Sequence, residues 1–263
     1  MSNFIFNLNP IFQAFLATLF TYLVTALGAS LVFMFKKIHK NILDSLLGFA
    51  AGVMIAASFW SLLSPAIVMA DNLKMNTMLV VAIGFLSGGL LLFIGDKVMN
   101  YFKSHTLTGT NKRIFMLITS ITLHNIPEGL AVGVAFGSTL YGLDGASLLS
   151  AWTLALGIGI QNFPEGTAVS VPLRREGFSR KRSFFFGQLS GIVEPIAGVL
   201  GALLVLKIQF LLPFLLSFAA GAMIYVVVEE LIPESQTNEN KDLMAMCTLI
   251  GFTIMMTLDV LLG

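Results

Sequence analysis

Residues 123–129 read LHNIPEG and residues 160–166 read IQNFPEG. Both stretches lie inside long apolar runs, where His, Asn, Gln, Glu and Pro are the residues least expected. The surrounding runs decide the fold class. Of 263 residues, 56% are hydrophobic and only 11% are charged, and the mean hydropathy is +0.88. A soluble domain carries about 25% charged residues. The composition therefore predicts an all-α integral membrane protein. Lipid offers the backbone no partners, so spanning segments must satisfy their own N–H and C=O groups. A barrel would show short alternating segments, and the sequence has none. The net charge of +1, with no basic cluster interleaved with aromatics, gives no sign of a nucleic-acid partner. The partner expected instead is the lipid bilayer. Cys247 is the single cysteine, which excludes an intrachain disulfide and a CxxC metal site. The N-terminus lacks a basic n-region and a small-residue cleavage site, so the first apolar stretch reads as a retained span.

A span needs roughly 20 apolar residues. Eight candidates follow, over 10–35, 42–69, 78–101, 114–140, 146–172, 182–206, 210–233 and 243–262. Their short connections predict a single transmembrane domain over 1–263. Lys and Arg collect on the cytoplasmic side of such proteins. The links after odd-numbered spans hold Lys36, Lys37, Lys40, Lys103, Lys112, Arg113, Arg174, Arg175, Arg180, Lys181, Arg182 and Lys241. Lys97 ends the third span at the same face, against only Lys74 and Lys207 on the other. The expected placement is multi-pass in the plasma (inner) membrane, with both termini outside the cytoplasm.

Two internal repeats stand out. GFAAGVMIAASFWSLLSP (48–65) resembles SFAAGAMIYVVVEELIPE (217–234), placing Phe49 on Phe218, Met54 on Met223 and Ser61 on Glu230. The second and seventh spans run in opposite directions, as do the fourth and fifth, which carry the opening motifs. This pattern predicts inverted-topology repeats in a three-two-three arrangement, with a site near the midplane.

On a helix, His124 and Glu128 share a face, and Asn125 neighbours Glu128. The fifth span repeats the pattern with Gln161, Asn162 and Glu165. Pro127 and Pro164 leave the carbonyls of Leu123 and Ile160 without donors. Gly129 and Gly166 admit another backbone closely. An unpaired carboxylate at mid-membrane costs roughly 2.5–3.5 kcal/mol on insertion scales, and Glu194 in LSGIVEPIAG adds a third. No Lys or Arg lies in the middle of a span, so protons or metal cations must supply the counter-charge. His nitrogen with Glu and Asn oxygens suits Zn²⁺, Fe²⁺ or Mn²⁺, and two carboxylates able to bridge leave room for two ions.

Plainer readings compete at single positions. His124 alone is equally explained by a hydrogen bond to a neighbouring helix, and Asn is common interhelical glue. Met54, one of 13 Met, reads by itself as core filler. The whole polar face, its repeat and Glu194 together favour an ion. Ser61, Glu229 and Glu230 read either as an exit station or as packing and interfacial groups. His105 reads as an ion trap or a solvated loop residue. Asp71, Asp144 and Asp259 read as cation attractors at the outer face or as ordinary helix-end residues.

HNIPEG, QNFPEG and the EP of the sixth span resemble the ZIP (Zrt-, Irt-like protein) family of divalent metal transporters, and most closely its prokaryotic GufA-like branch. The resemblance covers essentially the whole chain. It implies that His124 and Glu128 bind the transported ion, that Glu165 bridges, and that Met54 is a ligand from the second span. Asn125, Glu128, Asn162, Glu165 and Glu194 match positions holding a second, adjacent ion, and Gln161 lines the same site. Members of this branch often carry Asp where this chain has Asn162, which leaves occupancy of the second position open. Where many animal and plant relatives read HExPHE, Gln161 and Asn162 make the site harder, so strict zinc selectivity is not expected. With His105 alone in the cytoplasmic loop, loop-based metal sensing is not expected either.

The resemblance implies import of Zn²⁺, with Fe²⁺, Mn²⁺, Co²⁺ and Cd²⁺ as further candidate substrates, and no enzymatic activity. It implies an elevator-type motion in which spans 1, 4, 5 and 6 carry metal past spans 2, 3, 7 and 8. It also suggests a homodimer. The competing classes are an intramembrane metalloenzyme and a divalent-cation channel. The first would want paired Glu-x-x-His helices or HExxH, and neither is present.

Overall fold

The computed structural model describes residues 8–34, 39–106, 109–141, 144, 146–205 and 209–262. Among the described residues every regular element is helical. The long helices are α1 (Pro10–Met34, with a turn at Ser30), α2 (Lys40–Asn72), α6 (Arg180–Val205) and α7 (Leu212–Ser235). The others are α3 (Thr77–Thr106), α4 (Gly109–Ser138), α5 (Leu148–Arg175) and α8 (Lys241–Leu262). The described residues of each stretch expected as a span are helical, apart from the turn at residue 30 and residues 146 and 147. Among the described residues, α1, α2, α3, α6, α7 and α8 contain runs long and apolar enough to cross a membrane. Of the basic residues used for orientation, Lys36, Lys37 and Lys207 lie outside the described residues.

Helix boundaries follow local chemistry. Asn9 accepts from the Ile11 N–H at 2.9 Å, with Pro10 in the first turn where its missing N–H costs nothing. Ser147 and Ser179 cap α5 and α6 in the same way. Gly177, at φ 92°, makes the turn between those helices. α4 and α5 run through Pro127 and Pro164, each of which lacks the N–H that its helix's ladder would use there. An internal Pro can remove one bond without ending a helix that neighbours hold in place.

Four helix pairs pack most intimately: α1 with α5, α4 with α6, α2 with α8, and α3 with α7. Small residues make this possible, because backbones approach closely only where no side chain intervenes. A Cβ at Gly28 would lie 2.0 Å from the Phe163 carbonyl oxygen, and one at Gly166 would lie 2.0 Å from that of Thr25. On the α2–α8 seam, a Cβ at Gly52 would lie 1.9 Å from the Thr248 carbonyl oxygen and one at Gly251 2.0 Å from that of Phe49. On the α3–α7 seam, a Cβ at Gly221 would lie 1.8 Å from the Phe85 carbonyl oxygen and one at Gly88 1.9 Å from that of Phe218. The register that sets Phe49 on Phe218 therefore also sets Gly52 on Gly221. It further sets Ser58 on Val227, where π-helical segments begin in α2 (Ser58–Leu63) and α7 (Val227–Leu231).

The pairs combine into two groups, α1/α4/α5/α6 and α2/α3/α7/α8, which meet where α2 packs on α5 and α4 on α7. Among the described residues, no glycine makes a close backbone contact across that boundary. α2 and α7 are largely enclosed, while α3 and α8 turn most of their surface outward. Met78, Leu79, Leu86 and Leu90 on α3 are exposed, as a lipid-facing helix requires.

Candidate metal centre

The two motifs meet where α4, α5, α6 and α1 converge. Asn125, Glu128, Gln161, Asn162 and Glu194 are fully buried, and Glu165 is 5% exposed. Gln161 Nε2 donates to Glu128 Oε1 at 2.7 Å, tying α5 to α4. Asn162 Nδ2 donates to Glu194 Oε2 at 2.9 Å and also faces the Thr21 carbonyl at 3.3 Å. Asn125 Nδ2 donates to the Ser190 carbonyl at 2.9 Å. The Thr21 hydroxyl donates to Glu194 Oε2 in a short contact, and that of Thr25 reaches Glu194 Oε1 at 3.4 Å. Glu128, Glu165 and Glu194 are near enough to repel one another, and the charge of Glu230 reaches Glu165.

Each of the three amides turns its nitrogen to an acceptor, which fixes where its oxygen points. Those oxygens, Asn125 Oδ1, Gln161 Oε1 and Asn162 Oδ1, have no donor. Glu128 Oε2 and Glu165 Oε2 have none either. A buried polar atom left unpaired costs about 1–3 kcal/mol, and native interiors keep such atoms few. These five acceptor oxygens lie on two touching helices, Asn125 and Glu128 on α4 and Gln161, Asn162 and Glu165 on α5, and a cation is one partner that would satisfy them. Among the described residues, no three His, Cys, Asp or Glu side chains stand together closely enough to hold an ion by themselves.

Of the sequence-predicted residues, Gln161 is paired with Glu128 and Asn162 with Glu194, Asn125 bonds the Ser190 carbonyl, and Glu165 lies within electrostatic reach. Met54 is fully buried on α2, which packs against α5. His124 lies on α4, but its side chain, like that of His105, lies outside the described residues. Sequence reasoning missed Thr21 and Thr25. They lie with Thr18 along one buried face of the first span. Ser61 donates to Asp259 Oδ1 at 2.6 Å across the α2–α8 seam. Asp259 is thus a buried, paired group.

Fold and site together define a multi-pass helical membrane protein with a buried centre rich in oxygen acceptors. The chain matches the family described as ZIP zinc transporter over residues 10–113 and 104–259, and it belongs to that family. It is 39% identical to the human zinc transporter ZIP11, over 97% of this chain and 98% of that protein. It is 34% identical to the zinc transporter GufA of Myxococcus xanthus, over 94% and 98% respectively. Identity to the zinc transporter ZIPB of Bordetella bronchiseptica is also 34%, over 92% of this chain and 79% of that protein. The family is one of transporters and not of enzymes, which removes the metalloenzyme alternative.

Proposed function

We propose that this chain imports Zn²⁺ into the cytoplasm across the plasma (inner) membrane, as a carrier with one metal centre near the bilayer midplane. Its ligands are drawn from His124, Asn125, Glu128, Gln161, Asn162, Glu165 and Met54. The observation that carries this reading is the set of five buried, donorless oxygens on α4 and α5. Amide and carboxylate oxygens are hard donors that suit Mn²⁺ and Fe²⁺; Co²⁺ and the softer Cd²⁺ belong to the substrate range through His124 and Met54. Transport needs binding strong enough to strip the hydration shell and weak enough to release the ion. Neutral Asn125, Gln161 and Asn162 supply coordination without adding charge, which favours release.

In this reading all eight helices span the bilayer as one domain, with both termini outside the cytoplasm. The shared register of Gly52 with Gly221, and of the two π-helical segments, supports inverted repeats. The α1/α4/α5/α6 group carries the ion and slides along α2 and α7. The confinement of close glycine-to-backbone contacts to the interior of each group supports that motion, the one close glycine contact across the boundary among the described residues, Gly157 on Met255, being with a flexible side chain. A homodimer through the outward faces of the α2/α3/α7/α8 group would keep the framework still.

The test is uptake of radioactive Zn²⁺ into sealed vesicles holding the purified protein. Slow, saturable uptake is expected. Fast flux tracking the membrane potential would make the protein a channel, and no flux would overturn the proposal. A crosslink between outer positions of α2 and α5 should stop uptake, and uptake that survives it would refute sliding.

A further inference from the structure

The three buried carboxylates of the centre are not equivalent. Glu128 Oε2 and Glu165 Oε2 face no donor. Both oxygens of Glu194 are supplied: Oε2 by the Thr21 hydroxyl and by Asn162 Nδ2 at 2.9 Å, Oε1 by the Thr25 hydroxyl at 3.4 Å. We infer that this centre takes a single dication, on the Glu128 and Glu165 side. Glu194, Thr21, Thr25 and Asn162 form a standing hydrogen-bonded post where a second ion would otherwise sit. The inference rests on the carrier reading above and fixes its stoichiometry.

Two arguments support it independently. The first is donor geometry. A lone pair that accepts an O–H or N–H is not free for an ion. To ligate through Oε2, Glu194 would have to shed Thr21 and Asn162, whereas Oε1 carries only the long Thr25 contact. It would also have to turn the Asn162 amide away from itself and from the Thr21 carbonyl, which Asn162 Nδ2 faces at 3.3 Å. Each buried group left unpaired in that exchange costs about 1–3 kcal/mol.

The second argument is charge. The centre holds three acids, Glu128, Glu165 and Glu194, and position 162 is a neutral Asn. One dication balances Glu128 and Glu165 and leaves the charge of Glu194 spread over three donors. Two dications would exceed the charge of these three acids, and the further acid within reach, Glu230, acts on Glu165 on the side of the first ion. Glu194 is therefore a positioning residue. It holds the Asn162 nitrogen, and so turns the donorless Asn162 Oδ1 away from the post.

The experiment equilibrates the purified protein with Zn²⁺, removes free metal, and reads metal per chain by elemental analysis. Differences between variants cancel any surface sites. The Glu128→Ala/Glu165→Ala double variant should hold one ion fewer than the wild type. Glu194→Gln should hold the wild-type number, and Asn162→Asp one ion more. X-ray absorption of the Asn162→Asp protein should show a metal–metal distance of ~3.5–4 Å that the wild type lacks. Loss of an ion in Glu194→Gln, or a metal–metal distance in the wild type, overturns the single-ion centre and leaves the carrier reading standing. A wild type that holds no more metal than the double variant overturns both. Should Glu194→Gln not fold, the wild-type absorption spectrum decides alone.

Discussion

The two four-helix groups are closed by the same device and filled with different chemistry. Gly28 and Gly166 seat α1 on α5 just as Gly52 and Gly251 seat α2 on α8. Between its seams the first group buries Asn125, Glu128, Gln161, Asn162, Glu165 and Glu194. The second buries mainly Ala, Leu and Met. Of its acids, Asp259 accepts from Ser61 and Asp44 from Asn238 at 2.9 Å, while Asp259 Oδ2 and Asp96 Oδ2 are without a donor. Close glycine packing therefore suffices to hold such a group together. The polar interior of the first group is not required for cohesion, and its unpaired oxygens lower stability while the centre is empty.

The largest effect should come from the shared device. Gly52→Val and Gly166→Val should each remove folded protein, because a Cβ would lie 1.9 and 2.0 Å from a backbone carbonyl oxygen. Separating the helices to make room costs more than the ~1–3 kcal/mol of ordinary overpacking. Size-exclusion profiles in detergent read this directly. If one variant folds and the other does not, the two groups are not built alike.

Glu165→Ala tests the asymmetry itself. Zinc uptake should fall beyond the ~10–100-fold typical of losing a group outside the ligand shell. The melting temperature without metal should stay level or rise, because a buried carboxylate with a donorless oxygen is removed. A clear drop in melting temperature would make Glu165 a structural residue. Asn125→Ala should act more mildly, cutting uptake about tenfold. It removes one neutral oxygen and a bond to the Ser190 carbonyl. The smallest effect is expected in the other group. Ser61→Ala leaves Asp259 without its hydroxyl donor and should cost about 1 kcal/mol, read as a modest fall in melting temperature. No fall would mean that the Ser61–Asp259 pair adds nothing to the second group.

The helices, the polar face of α4 and its repetition on α5 were legible because lipid punishes every uncompensated polar residue. Each one present in a span must have a reason. Thr21 and Thr25 were not legible for the complementary reason. A Thr in a membrane helix silences its own hydroxyl on a preceding carbonyl, as Thr18 does with Ala14 at 2.7 Å. Its presence in the sequence therefore signals nothing. Asp259 read as one of several helix-end acids, because its partner Ser61 lies 198 residues away and no local pattern joins them.

The sequence by itself determined the helical membrane class, the stretches that form helices, the NxPEG faces and their family. All of these rest on the transfer energy of side chains and on spacing along a single helix. Which acid accepts which donor was decided only by the tertiary structure. That Asn162 serves Glu194 while Glu128 and Glu165 keep oxygens free depends on α1, α5 and α6 meeting at one level. The pairing of atoms from separate helices is a property of their packing, which no periodicity within one helix encodes.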